Sequence, residues 1–188
     1  WWLHDGSKPE DPASSCPADS PREVVDSLRA AVRGAGGRVV VVVAHHPLES
    51  GGPHGGYFGW REHLFPLRAV KSWLWVPLPL IGSVYPIARE SGISSQDVPS
   101  APYQRLRAAV DSALAPSRPL VYAAGHDHGL QVIGGTSTAY MLVSGAGTYG
   151  HLSRVTALDS TRFARLASGF MRIEVLRGRR ARLAVTVV

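Results

Sequence analysis

The sequence predicts a single layered α/β domain, and three observations support that prediction. The chain has 188 residues, of which 45% are hydrophobic, which is enough for one domain with a sizeable core. An amphipathic helix pattern is followed by an apolar strand pattern at residues 39–43. The same order of helix and strand returns at residues 103–114 and 120–124. Helices that alternate with buried strands are typical of a sheet layered with helices.

The first predicted helix has clear start and stop signals. Pro21 stands at the first helical position, Ser20 is the expected N-cap, and Glu23 lies in the first turn. Glycines at positions 34, 36 and 37 end the pattern. Residues 38–44 then form a predicted buried strand, because a run of β-branched side chains is typical of a strand that is covered on both faces.

The middle of the chain predicts irregular structure around a short helix. A glycine-rich loop covers residues 50–57, and a helix is predicted from Trp60 to about Val70. Residues 73–82 then combine aromatic side chains with two prolines, which prevent a regular helix, and they are too few to span a bilayer. Trp73 and Trp75 therefore belong to an ordered insertion. We expect it to line a substrate cleft, the alternative being a patch that faces lipid or a partner.

The second half of the chain predicts one more helix and several strands. The helix covers residues 103–114, and strands follow at 120–124, 130–133 and 139–143. A final hairpin joins 170–176 to 182–188 around Gly178, with Met171 and Ile173 alternating with polar neighbours. Arginines crowd its turn, which predicts a solvated turn, with an anion or lipid-headgroup contact as the alternative. We find no internal repeat and no sign of a second domain.

The charge pattern argues against a nucleic-acid-binding protein. The formal net charge is +6, but the basic residues are spread along the chain, and only Lys8 and Lys71 are lysines. No basic helix and no nucleic-acid-binding motif is present. This excess of positive charge suits small anionic partners, including phosphate. Cys16 is the only cysteine, so no internal disulfide can form.

Two histidine clusters follow the two predicted buried strands. His45 and His46 come directly after the first, and His126 and His128 flank Asp127 after the second. Imidazole is the commonest transition-metal ligand, and strand-end loops are where sites collect. In extended backbone, the two rings around Asp127 would point to one side and its carboxylate to the other, where it would orient neighbours. The alternative is glycine-flanked loop histidines that bind no metal.

These segments together carry a resemblance to a known family. The stretches Val42-Val43-Ala44-His45-His46-Pro47-Leu48, Gly52-Pro53-His54-Gly55-Gly56 and Ala124-Gly125-His126-Asp127-His128 resemble the C-terminal half of a calcineurin-like metallophosphoesterase. Purple acid phosphatases are the nearest relatives by this pattern. Trp1-Trp2-Leu3 is similar to the segment after the family's first metal motifs, and Ser144-Gly145-Ala146-Gly147 to its late glycine turn.

The resemblance implies metal-dependent phosphoester hydrolysis by a hydrolase of layered αββα sandwich fold. Two transition-metal ions, Zn, Fe or Mn, would clamp the phosphate ester while water attacks phosphorus in line. His45 and His126 would bind one ion and His128 the other. His54 and Gly55, on the glycine loop, would bind phosphate, and His54 would alternatively protonate the leaving group. His46 is the weaker catalytic candidate, with a supporting or packing role as its alternative.

The motifs of the family's N-terminal half are missing from this sequence. In the family, that half supplies D-x-H, G-D-x-x-D and G-N-H-[DE]. None of these motifs occurs here, and the chain has no asparagine. We therefore expect residues 1–188 to be the C-terminal portion of a single domain whose N-terminal metal-binding half lies upstream. The isolated chain should then be inactive, with exposed strand edges and apolar faces. Only the resemblance to this family favours export of the protein to the cell envelope or the medium.

Two other functions compete with hydrolysis. One is a non-catalytic metal-binding or interaction module, which the missing carboxylate motifs favour if the chain is complete. The other is a histidine-triad nucleotide hydrolase, which is weak because only two alternating histidines are present. His4, His63 and His151 have no partners by spacing, although His151 follows a glycine-rich loop near the predicted site.

Overall fold

The structure, a computed structural model, describes residues 2–3, 20–147, 152–178 and 180–188. His4 and His151, considered above, lie outside them. The described part contains four α-helices: α1 (Pro21–Gly34), α2 (Trp60–Leu64), α3 (Val84–Glu90) and α4 (Ala101–Leu114). Its strands are β1 (Val41–Val43), β2 (Val121–Ala124), β3 (Leu130–Gly134), β4 (Tyr140–Ser144), β5 (Thr161–Arg165), β6 (Gly169–Val175) and β7 (Ala181–Val187). Short 3₁₀ turns cover Pro53–Gly55, Pro66–Ala69 and Ile81–Ser83.

Five strands form a mixed sheet in the order β1-β2-β4-β3-β5. β1 and β4 both pair with β2 in parallel, whereas β3 runs antiparallel to β4 and β5. The parallel register aligns Val43 with Ala123, so the chain leaves β1 and β2 at the same edge of the sheet. This pairing places the two histidine loops side by side.

The sheet is the middle of three layers. On one face, α1 and α4 pack against side chains such as Tyr122, Ile133 and Met141. On the other face, the β6–β7 hairpin packs Met171 and Ile173 against the sheet. The molecule is therefore a mixed α/β domain, as the sequence predicts. The capping box at Ser20 and Glu23 and the final hairpin are also confirmed.

The prediction that the first strand is buried on both faces is wrong. The strand is three residues long, and Val43 is 77% exposed. It lies at the edge of the sheet, and the hairpin contacts β3 and β4 at the centre of the sheet. Val42 alone of the three valines packs into the helix-side core. The apolar run therefore forms an edge strand with one exposed face in the described part of the chain.

The segment at residues 57–93, called the insert below, contains α2, α3 and two of the 3₁₀ turns but no strand. The predicted helix over Trp60 to Val70 is wrong in its length, because it breaks at Phe65 before Pro66. The insert folds on itself through a bond from the Leu78 amide to the Leu64 carbonyl, 2.8 Å long. No helix in the described part of the chain is long and apolar enough to cross a membrane.

Candidate functional site

Strand pairing extends into the two histidine loops. Beyond β1, the Ala44 amide donates to the Ala123 carbonyl at 3.0 Å, and the Gly125 amide donates to the His45 carbonyl at 3.1 Å. His45 and His126 are thus positioned by the same ladder that holds β1 to β2. A rigid sheet edge gives site residues more precise positions than free loops do.

Two buried tyrosines fix the backbone after His45. The Tyr122 hydroxyl donates to the His46 carbonyl at 2.9 Å, and the Tyr103 hydroxyl donates to the Pro47 carbonyl at 2.6 Å. Burial raises the pKa of both hydroxyls above the ordinary value for tyrosine, so both remain protonated donors. One tyrosine comes from the sheet and one from α4, so both layers hold this loop.

Three imidazoles converge at this edge. His45, His46 and His126 each offer a ring nitrogen, and these atoms all lie within 4.8 Å of one another. His45 Nε2 and His126 Nδ1 lie 3.2 Å apart. Two imidazole nitrogens bound to one tetrahedral zinc at about 2.0–2.1 Å would lie about 3.3 Å apart. The separation therefore fits one shared ion, and it also fits a hydrogen bond between neutral rings.

His126 has an unusual backbone and a perturbed proton affinity. Its φ of 65° lies in the left-handed region, which non-glycine residues rarely adopt. Its Nε2 lies 2.9 Å from the Gln96 carbonyl and donates a hydrogen bond to it. Burial, with smaller effects from the neighbouring histidines, lowers the pKa of His126 to about 4. The ring is therefore neutral at physiological pH, the form that binds metal.

The left-handed turn also changes the position of His128. The extended backbone considered for residues 126–128 is not present, since this stretch is a bend. His128 lies outside the group of three and lines a neighbouring cleft. The structure thus brings together His45 and His126, which the sequence assigns to one ion, and adds His46 to them.

Behind the site, Asp127 is almost fully buried and organises the glycine loop. Its carboxylate accepts from the Ser50 hydroxyl at 2.5 Å and from the His54 amide at 3.2 Å. A side chain on Gly52 would lie 2.5 Å from that carboxylate, so this close approach requires glycine. The role agrees with the orienting role considered from sequence. The Gly55 amide donates to the Gly52 carbonyl at 2.9 Å, so this N–H already makes a hydrogen bond within the turn.

His54 belongs to a charged network that the sequence did not reveal. Its Nδ1 lies 2.9 Å from Asp97 Oδ1, and Arg89 also donates to both oxygens of that buried carboxylate. Burial alone would raise the pKa of Asp97, but hydrogen bonds from His54 and Arg89 outweigh it and hold that pKa below its usual range. Nδ1 can donate a hydrogen bond to this carboxylate or accept one from Arg89 Nη2, which lies 3.1 Å away. Donation to Asp97, the shorter of the two contacts, leaves Nε2 as the ring nitrogen outside this network. Arg89 and Asp97 belong to no motif, so spacing alone offers no signal for them.

The histidine rings stack into one array next to a large cleft. The rings of His54 and His126 have centroids 3.8 Å apart, and those of His46 and His126 are 4.5 Å apart. His54 and His128 both line the cleft, which has a volume of about 930 Å³. The cleft is basic and aromatic, and its charged and aromatic lining comprises Arg61, Arg68, Lys71, Arg89, Arg154, Glu62, Phe58, Trp60, Phe65, Trp73 and Tyr85.

No protein-family model matches the sequence, and no curated protein matches it significantly.

Proposed function

We propose that this chain contributes the histidine half of a two-metal centre that hydrolyses phosphate esters. The observation that supports this most is the pairing of His45 Nε2 with His126 Nδ1 at 3.2 Å, at the ends of two adjacent parallel strands. Both donors are imidazole nitrogens, which suit Zn or Fe. The three layers of helix, sheet and hairpin are compatible with part of an αββα sandwich.

In this proposal the described histidines divide between two ions. His45 and His126 hold one, and His128, which lines the adjoining cleft, holds the other. His46 is a further nitrogen donor close to the first ion. No carboxylate belongs to this three-histidine group in the described part of the chain, so the bridging and oxygen ligands would come from the N-terminal half. When bound, the ions supply Lewis-acid stabilisation of charge on the phosphoryl group.

His54 is the proposed proton donor to the leaving group. The Asp97 carboxylate holds the proton on Nδ1, so that Nε2 is the atom that exchanges a proton with substrate. The ring lies against His126, which keeps that atom next to the proposed metal. Arg89 neutralises Asp97, so the carboxylate orients His54 without adding net negative charge to a site for an anion.

The basic cleft favours an anionic substrate over a neutral one. Cationic side chains from the insert and from residue 154 line it, and Glu62 is the one acidic residue among the lining. The carboxylate of Glu62 is occupied by the Gly59 amide at 2.8 Å. Attraction of a phosphate ester to such a cleft raises both its local concentration and its rate of association. Aromatic rings in the same lining would contact an apolar alcohol portion.

A second function follows from the histidine group alone. Three imidazoles without an acidic ligand can bind one transition ion without any hydrolysis. Metal binding by such a non-catalytic module would need only the three histidines. Hydrolysis would also need the oxygen ligands that the proposal assigns to the N-terminal half.

The test measures metal content and hydrolysis on the same samples. Full-length protein is loaded with Zn, Fe or Mn, analysed by mass spectrometry for bound metal, and assayed with aryl phosphate monoesters and diesters. We expect His126→Ala and His128→Ala to lose metal and to abolish turnover. His63→Gln, whose ring bonds to Ser83 outside the cleft, is the matched control. Unchanged turnover in both alanine variants would refute the catalytic proposal, and metal binding without turnover in the wild type would favour the second function.

A further inference from the structure

The insert exposes an unusual amount of apolar surface. More than half of the large apolar side chains that are exposed in the described part of the chain belong to residues 57–93. Trp60 is 65% exposed and Trp73 is 68% exposed. Exposed apolar side chains concentrated in one segment indicate an interaction site on a protein that folds in water.

Each exposed tryptophan of the insert has a cation over its ring. The guanidinium of Arg68 lies 3.7 Å from the ring centroid of Trp75, and that of Arg61 lies 5.4 Å from Trp60. The ammonium of Lys71 lies 5.9 Å from Trp73. Tryptophan combined with lysine or arginine is the composition that anchors proteins at a membrane interface, where the ring lies among the headgroups and the cation meets phosphate.

The most exposed apolar residue lies at a fixed turn. Leu80 is 91% exposed and has a φ of 67°, and Ile81 beside it is 73% exposed. The turn is held underneath by the Gly82 amide, which donates to the Leu78 carbonyl at 2.7 Å. A side chain on Gly82 would clash with the His63 carbonyl, so the turn packs tightly onto α2. The fold therefore holds two adjacent aliphatic side chains outward.

We infer that the insert docks this protein onto an anionic lipid surface through its tryptophans, its cations and the Leu80 turn. Two observations favour lipid over a protein partner. The insert has no strand, so it offers no backbone edge for another chain to pair with. Its cations outnumber its acids, Glu62 and Glu90, which suits a surface of uniform negative charge.

Docking would place the cleft mouth at the lipid surface. Trp60, Trp73 and Val70 of the insert line the same cleft as His54 and Arg89. The inference does not depend on hydrolysis, because it rests on side chains outside the histidine group.

Vesicle flotation tests the inference. The wild-type chain is mixed with phosphatidylcholine vesicles containing about one-third phosphatidylglycerol, and with pure phosphatidylcholine vesicles. We expect binding to the anionic vesicles to fall about tenfold in the double variant Trp73→Ser/Leu80→Asn. Leu80 is the central residue of a γ-turn, with φ 67° and ψ −60°, and asparagine has the same branching as leucine beyond Cβ, so the change adds no steric demand there. The double variant Arg61→Gln/Lys71→Gln should lose the preference for anionic vesicles.

The matched control is Val43→Thr, which removes an equally exposed apolar side chain from β1. It should bind as the wild type does, and circular dichroism should show all variants folded. The inference is overturned if the wild type does not float, or if Trp73→Ser/Leu80→Asn binds as tightly as Val43→Thr. It is also overturned if the wild type forms dimers that this double variant abolishes, without binding vesicles. Lipid binding without hydrolysis, or the reverse, would separate this inference from the proposed function.

Discussion

The insert follows the first histidine loop directly in the chain, but the histidine loops and the insert are held in different ways. The loops are braced by the sheet, by two tyrosine hydroxyls and by the buried Asp127 carboxylate. The insert has short helices, turns and exposed apolar side chains. Substitutions in the loops should therefore change folding stability, whereas those in the insert should change what the surface binds. Four predictions test this contrast, in order of decreasing effect.

The largest effect is expected from Asp127→Ala. The change leaves the Ser50 hydroxyl and the His54 amide without their acceptor in a buried position. Loss of a buried, charged acceptor should lower the free energy of unfolding by about 3 kcal/mol, measured by urea denaturation. Asp159→Ala, at an exposed position, is the control and should have little effect. Equal effects of the two variants would contradict the role of the Asp127 carboxylate in holding the glycine loop.

Asp97→Asn should have the next largest effect. The carboxylate is fully buried and bonded to Arg89 and His54, so its neutral form leaves the Arg89 charge poorly compensated. We expect a loss of about 2 kcal/mol in the free energy of unfolding. Because Asp97 also fixes the His54 tautomer, any hydrolysis should become less dependent on His54. The variant pair Asp97→Asn and Asp97→Asn/His54→Gln measures this, and a further large loss in the double variant would argue against the positioning role.

The metal-free protein should lose stability in mild acid through His126. The pKa of His126 is about 4 in the folded chain, compared with an ordinary value of 6.5. Between these two pH values the unfolded chain binds a proton on this ring and the folded chain does not. The free energy of unfolding should therefore fall as pH decreases from 6.5 to about 4, and this contribution should level off below that. We expect a change on the order of 1 kcal/mol. His126→Gln, compared over the same pH range, should lack this component of the slope.

The smallest effect on folding is expected from Trp73→Ser. The side chain is mostly exposed, so its removal should change the free energy of unfolding by less than about 0.5 kcal/mol. Urea denaturation of this variant beside Asp127→Ala gives the comparison directly. A loss as large as that of Asp127→Ala would mean that the insert is a structural support of the domain.

Much of the fold could be predicted from local patterns. Ser20 and Glu23 define a helix start through chemistry within four residues, and the alternation of Met171 and Ile173 defines a hairpin face. The convergence of His45 and His126 was predictable because both follow strands that pair in parallel. Local signals were sufficient at these positions.

The remaining features depend on contacts between distant residues. The open face of β1 depends on where the hairpin packs, which the run of valines does not encode. The left-handed backbone of His126 separates it from His128, and a non-glycine residue gives no sign of such a φ. Asp97 bonds to His54 from a position 43 residues later in the chain, in a loop with no motif. Tertiary packing decided each of these features.

The open edge at β1 also dictates the direction from which further ligands can arrive. A strand that joined Val41–Val43 in parallel would continue the ladder outward from β2, whichever polypeptide supplied it. Its last residue would then emerge next to His45, on the same side of the sheet as the imidazoles. For a strand that joins in parallel, the edge of β1 therefore sets the position at which an oxygen ligand would stand beside His45.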